Sequence, residues 1–266
     1  MIYVFIDGSY FCFYRFYALI AWWKNAHPET PLENPIETPE FVDKYRSTFI
    51  DNLKTIVKKT KRGLPKGTEI KMYVAKDCPR NTIWRMPLYP EYKSNRDVKR
   101  NYDIGAFFKL TYAEKLFSQG GCIDVISYPE LEADDCIAIA VKQLSADSQI
   151  TIITSDADYL QLSTPNISIM DLRFKPVALG KKWSGDSDTD LFCKILTGDP
   201  SDGIPAAFPK CGMKTALKCY TDKEFLQKQL VKYPQAEANI DRNRKLISFS
   251  CIPSHLIEGF SNKYTF

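Results

Sequence analysis

Apolar residues in this chain fall into short unbroken runs that alternate with longer stretches of helical spacing. Ile2-Tyr-Val-Phe-Ile6 is one such run, closed by Asp7-Gly8-Ser9, and reads as a strand buried on both faces. Similar strands are predicted over Glu69 to Ala75, Cys122 to Ser127, Gln149 to Thr154 and Ile167 to Asp171. Thr38-Pro39-Glu40 has the form of a helix start, with apolar residues at 41, 42, 45, 49, 53, 56 and 57, and Leu64-Pro-Lys-Gly67 ends that helix. Glu132 to Leu144 predicts another helix, with an alanine- and isoleucine-rich face. Residues 79–121 are highly charged, carry prolines at 79, 87 and 90, and read as a helical excursion. From about Asp188 onward the chain reads as helices broken by a Gly/Pro-containing turn at 198–212. Strands alternating with helices predict an α/β fold, a mostly parallel twisted sheet covered by helices. In such sheets the functional residues sit just past the carboxyl ends of the strands.

Composition changes this picture little. The 266 residues suffice for one large or two modest domains, and 44% hydrophobic with 26% charged residues is ordinary for a globular chain. The aromatic-rich stretch Met1 to Trp23 is interrupted by Asp7 and Arg15, and its longest uncharged run, Phe16 to Trp23, is too short to span a bilayer. No basic region precedes it, so it reads as a strand and helix rather than a signal, and the protein is expected to be intracellular, without a membrane partner. Eight cysteines without a CxxC, and only two histidines, disfavour a zinc site, a disulfide framework and histidine-based nucleophilic catalysis. Chemistry here is left to carboxylates.

The net charge of +4 is modest, but its distribution is uneven. Basic residues outnumber acidic ones seven to one from Lys54 to Lys71, five to two from Arg85 to Arg100, and nine to four from Lys210 to Lys245. Solvated helix faces would explain such stretches; so would a polyanion partner. Between them lie the acids. Asp7, Asp77 and Asp156 each follow a predicted strand almost at once, a position where aspartate is usually only a turn former or helix cap. Glu132, Asp134, Asp135 and Asp158 would meet them at one sheet edge, with Asp199 and Asp202 arriving from the next segment. Two carboxylates about 4 Å apart repel by roughly 4 kcal/mol at an effective dielectric of 20. Such a group needs protons or cations, and oxygen-only ligation favours Mg²⁺ or Mn²⁺. Two ions about 3.5–4 Å apart could activate water and stabilise a leaving oxygen.

In order and local sequence these acids resemble the flap endonuclease / 5′-nuclease superfamily, which includes phage 5′ exonucleases and the 5′-nuclease domain of bacterial DNA polymerase I. The similarity runs from Ile2 to about Leu217 through Ile6-Asp-Gly-Ser9 with Tyr14-Arg15, Trp84-Arg85, Tyr89-Pro-Glu-Tyr-Lys-Ser-Asn-Arg96, Glu132-Ala-Asp-Asp135, Thr154-Ser-Asp-Ala-Asp158, Thr197-Gly-Asp-Pro-Ser-Asp202 and Gly212-Met-Lys-Thr-Ala216. The resemblance implies a PIN-like/5′-nuclease fold: a nuclease core over residues 1–190 with a helical arch at about 79–121, and a helical duplex-binding helix-three-turn-helix region over 191–266. It implies metal ligation by Asp7, Asp77, Glu132, Asp134, Asp135, Asp156, Asp158 and Asp202, with Asp199 in support. Arg85 and Lys93 match the residues that contact the scissile phosphate, while Arg15, Arg96, Lys99, Arg100, Gly212, Lys214 and Thr215 would grip DNA. One or two arch aromatics, from Trp84, Tyr89, Tyr92, Tyr102, Phe107 and Phe108, could stack on an unpaired base. Members of the family hold K⁺ in the hairpin before Gly212. Here Ala206-Ala-Phe-Pro-Lys-Cys211 replaces the usual Gly-rich run, one residue is inserted, and Gly203 replaces Asn. These departures weaken the K⁺ expectation and leave the acids untouched.

The implied protein is a monomeric Mg²⁺- or Mn²⁺-dependent 5′-3′ exonuclease or flap endonuclease, acting with two ions on branched or flapped duplex DNA in replication, repair or recombination. An RNA/DNA hybrid is a second candidate substrate. Against it stand a non-catalytic structure-specific DNA-binding protein on the same fold, a PIN-type ribonuclease, and a sugar- or nucleotide-phosphate hydrolase. The first would have lost central acids, the second would be about half as long and lack an arch, and the third would not explain the basic stretches.

Overall fold

The computed structural model describes residues 1–96, 102–144, 146–179 and 184–266. Five strands, β1 (Ile2–Asp7), β2 (Ile70–Ala75), β3 (Asp124–Ile126), β4 (Gln149–Ile153) and β5 (Ile167–Met170), form one parallel sheet in the order β3-β2-β1-β4-β5. The chain winds outward from β1 to β3, then returns to the other side of β1 for β4. The order therefore reverses between β1 and β4, and their carboxyl ends flank a crevice of the kind that holds ligands in open α/β sheets.

Alternation along β1 sends Val4 and Ile6 to one face and Tyr3 and Phe5 to the other. Helices α1 (Gly8–Ala26) and α2 (Pro39–Thr60) cover the first face with Phe11, Phe16, Phe41, Tyr45 and Phe49, all fully buried. Each buried Phe is worth about 1.5–3 kcal/mol, so this aromatic layer fixes α1, and with it Asp7, against the sheet. Helix α3 (Ile104–Ala113) joins the layer through Phe107, and the short α4 (Leu116–Gln119) through Phe117. Helices α5 (Ala133–Gln143) and α10 (Ser254–Lys263) cover the second face.

The rest is helical: α6 (Ser187–Thr197), α7 (Met213–Thr221), α8 (Lys223–Lys232) and α9 (Ala236–Ile247) share a small core around Leu196, Phe208, Cys211 and Cys219. A fourth cluster, Ile83, Tyr92, Ile204, Leu246 and Ile247, stitches this region to residues 79–96. Among the described residues all the cysteines are free, and no helix is long and apolar enough to cross a membrane.

All five strands and the two long helices lie where the apolar pattern puts them. The excursion at 79–121 differs in its described residues: 80–96 form turns with single 3₁₀ turns at Arg80–Thr82 and Ser94–Arg96, and α-helix is found from Ile104. Prolines 79, 87 and 90 cannot donate to a helical ladder, and Ile83, Trp84 and Tyr92 are drawn into the core. Of the aromatics expected to stack on bases, Trp84, Tyr92 and Phe107 are at most 8% exposed and serve packing.

Candidate metal centre

Each acid is placed by backbone geometry. Asp7 ends β1 and caps α1, accepting the Tyr10 amide at 2.9 Å, while its second oxygen is 3.3 Å from the Thr154 hydroxyl and 3.4 Å from that of Tyr159. Gly8 is required beside it, because a Cβ there would lie 2.5 Å from the Ala75 carbonyl of the neighbouring strand. Asp77, just past β2, accepts the Ser9 hydroxyl and, at 2.8 Å, the Ala133 amide, so it ties the start of α5 to the sheet. Glu132 and Asp135 form the reciprocal cap of α5, and one oxygen from each of Glu132, Asp134 and Asp135 lies within 4.8 Å of the others. Asp156 follows β4 and caps the 3₁₀ turn Ala157–Leu162, which carries Asp158. A cavity of about 210 Å³ is lined by Asp7, Asp77, Glu132, Asp134 and Asp156 together with Lys93 and Arg96.

Built-in cations divide these acids. Arg85, 2% exposed, makes a two-pronged pair with Asp135 at 2.7 Å on both arms, reaches Glu132 at 3.0 Å and donates to the Leu246 carbonyl at 2.8 Å. Asp135 also accepts from the Trp84 indole at 2.9 Å and the Glu132 amide at 3.2 Å. Arg85 is therefore not directed at a phosphate as the resemblance implied, and Asp135, with its oxygens taken up, lies behind the ligand group. Lys93, in the left-handed backbone region, pairs with Glu132 and lies 3.7 Å from Asp202, whose other oxygen takes Arg96. Lys194 on α6 pairs with Asp158 and, at 2.9 Å, with Asp199. Asp7, Asp77, Asp134 and Asp156 form no ion pair with a lysine or arginine among the described residues.

Lys194 was missed by motif reasoning; its one signal was a lysine in the last turn of the helix that precedes Asp199. Asp156, Asp199, Lys194 and Gly212 line a second cleft of about 510 Å³, which brings the uncapped amino end of α7 beside the acids. Lys214 is exposed on α7, and Thr215 is half-buried. Arg15 is half-buried on α1, with its Nε lacking a hydrogen-bond partner among the described residues. Lys99 and Arg100 lie outside the described residues. The turn before α7 folds onto residues 91–96: Lys93 N donates to the Asp202 carbonyl at 2.7 Å and Asn95 to that of Pro200 at 2.6 Å. Gly203, at φ 73, closes this turn, and glycine and asparagine are the residues that best tolerate that conformation.

The electrostatics follow the division. Burial, then the neighbouring Asp77, pushes the Asp7 carboxyl up to about 7. Burial likewise raises Asp134 well above the carboxylate range, aided by Asp135 and Glu132, and it raises Asp156 against the pull of Lys194. Burial would raise Glu132 too, but Lys93 and Arg85 outweigh it and hold that carboxyl low; Lys194 does the same for Asp199. Asp7, Asp134 and Asp156 thus resist ionising, and a hard cation bound by their oxygens would relieve this.

A carboxylate-rich cleft at the reversal point of a parallel sheet defines an α/β protein suited to holding hard divalent cations. Residues 2–185 match the family described as 5′-3′ exonuclease, N-terminal resolvase-like domain, and the chain belongs to this family. The chain is 31% identical over 175 residues to DNA polymerase I of Rhizobium leguminosarum, covering 60% of this chain but only 17% of that protein. It is 26% identical over 246 residues to a protein of Enterobacteria phage T4 named ribonuclease H, covering 82% of this chain and 76% of that one. Among solved structures, the T5 D15 protein co-crystallised with metal ions superposes with a TM-score of 0.67 at 16% identity, covering 99% of this chain and 98% of the other. Another structure of the T5 protein, described as a flap endonuclease with DNA and metal ions, gives 0.66 at 14% identity, with 99% and 97% covered.

Proposed function

We propose that this chain is a divalent-metal-dependent 5′ nuclease, a 5′-3′ exonuclease or flap endonuclease that hydrolyses phosphodiester bonds in branched or 5′-ended DNA. The observation that carries the reading is the group Asp7, Asp77, Asp134 and Asp156: four carboxylates lining one cavity, without an ion pair to a lysine or arginine among the described residues, and rimmed by Lys93 and Arg96. The donor set suits Mg²⁺ or Mn²⁺, which these four acids would hold together with Glu132, Asp158, Asp199 and Asp202, on this reading as two ions. Such ions supply Lewis-acid stabilisation and a more acidic bound water.

The chain's own residues do the rest. Lys93 and Arg96 each hold a carboxylate at the cleft rim, and a substrate phosphate entering there competes for the same donors, offsetting charge that develops on its oxygens. Arg85 acts one layer back, holding Asp135 and Glu132 in place. The α7 amino end at Gly212, with Lys214 and Thr215, offers amide N–H groups and a cation to a duplex backbone in the manner of a helix-three-turn-helix, and Arg15 offers a further cation beside α1. Residues 1–190 form the nuclease part and 191–266 the duplex grip of a monomer that acts in replication, repair or recombination.

The test is incision of a 5′-end-labelled flap duplex with Mg²⁺, with EDTA, and beside single-stranded RNA and an RNA/DNA hybrid. Metal-dependent cutting near the junction that spares single-stranded RNA is expected. Tight binding without cutting would replace the reading with a structure-specific DNA-binding protein. Exchanging K⁺ for Na⁺ in the same assay tests for a monovalent ion at the 198–212 turn.

A further inference from the structure

Lys194 lies in the last turn of α6, where a lysine ordinarily points into water and offsets the negative end of the helix. Here it turns inward. The Gly198 amide closes on the Lys194 carbonyl at 2.9 Å, and with Gly198 at φ 70 the chain doubles back to bring Asp199 beneath the ammonium. The turn Ala157–Leu162 packs against α6 and presents Asp158 to the same nitrogen. The side chain is 16% exposed, and its two partners are 14% and 13% exposed. This is an enclosed ammonium between two carboxylates that motif order assigns to the metal centre.

We infer that the Lys194 ammonium fills the cation position between Asp158 and Asp199 from within the chain, so that the centre takes one divalent ion tightly and a second only by displacing this lysine. The inference rests on the nuclease reading for the identity of the ligands and alters its ion count. Asp7, Asp77, Asp134 and Asp156 line one cavity and have no ion pair with a lysine or arginine among the described residues, so an external ion is called for on their side of the centre. Asp158 and Asp199 share a protein cation already. An ammonium and a divalent ion within ~4 Å of the same oxygens repel one another, so the two occupants exclude each other. Lys194 is on this account a positioning residue that sets the metal concentration at which the second ion enters. Four carbons separate its ammonium from the backbone, which gives it room to withdraw toward the adjoining cleft.

The experiment is a Mn²⁺ titration followed by the electron paramagnetic resonance of free Mn²⁺, on the wild-type chain, Lys194→Met and Lys194→Arg. The wild type is expected to bind one ion tightly and a second weakly. K194M should bind the second ion at least ~10-fold more tightly with the first unchanged, and K194R, which keeps the charge, should match the wild type. Equal affinity for two ions in the wild type would overturn the inference, as would a second ion held no more tightly by K194M. The wild-type titration decides the matter even if K194M does not fold. Flap cleavage by the wild type at saturating Mn²⁺ is a separate reading: its failure sinks the nuclease assignment, whereas the ion count sinks or sustains the role of Lys194.

Discussion

Asp7 shows how a single carboxyl links the centre to stability. Its pKa rises from 3.8 to about 7 on folding, so between those values the folded chain keeps a proton that the unfolded chain has lost. Its contribution to stability is full below 3.8 and drains as pH rises to about 7, by about 1.4 kcal/mol per unit. Glu132 and Asp199, held below their ordinary values of 4.5 and 3.8, act at lower pH and in the opposite sense. The metal-free protein should therefore lose Tm between about pH 5 and 7.5, roughly 2–4 °C for each kcal/mol, and Mn²⁺ should restore more at the higher pH. A metal-free Tm that climbs over this range would contradict the burial described for Asp7. Asp134→Asn should reduce flap cleavage at least ~100-fold while leaving DNA affinity within about threefold, as judged by single-turnover cleavage beside a binding isotherm. At this scale the acids were legible because each follows a strand or opens a helix. The partners of Arg85 and Lys194 were not, because they depend on turns whose course no periodicity encodes. Arg85→Met, which leaves Asp135 buried without its cation, should cost about 3–5 kcal/mol in urea unfolding; adding Asp135→Asn should recover part of that.

Among the elements, the strands could be read within two or three residues because both faces of a parallel sheet demand continuous apolar runs. Residues 79–96 misled because the charge and prolines of 79–121 suggested a helical excursion. Four apolar side chains, Ile83, Trp84, Tyr92 and Met86, instead fasten these residues to the core or its edge. The turn at 198–203 is the element most sensitive to a small change. A Cβ at Gly203 would lie 2.9 Å from the Glu91 carbonyl, in a backbone conformation that L side chains avoid. Gly203→Ala should cost about 1–3 kcal/mol, and Gly203→Asn should be the milder change of conformation. A thermal melt of Gly203→Ala equal to the wild type would mean that this turn does not bear on residues 91–96.

For the molecule as a whole, a fold built on a parallel sheet was readable from strand–helix alternation, and membership of the 5′-3′ exonuclease family followed from the ordered acidic motifs. What could not be read was how the helical C-terminal region seats on the sheet, since those contacts join residues far apart in the chain, Arg85 to Leu246 and Gln161 to Ile247 among them. On the proposed reading, DNA affinity should fall linearly with the logarithm of salt concentration, and Lys214→Ala should flatten that slope by about 0.9. An unchanged slope in a filter-binding series would remove Lys214 from the interface.

The bond from buried Arg85 to the Leu246 carbonyl, with the apolar cluster beside it, bears on how such a chain can be divided. A fragment ending near residue 190 would keep every strand of the sheet, yet would leave Ile83 and Tyr92 facing water and Arg85 without its backbone acceptor. The α7–α9 helices alone would expose the opposing surface. The two parts are therefore expected to fold together, and a division at the apparent boundary to yield two unstable halves.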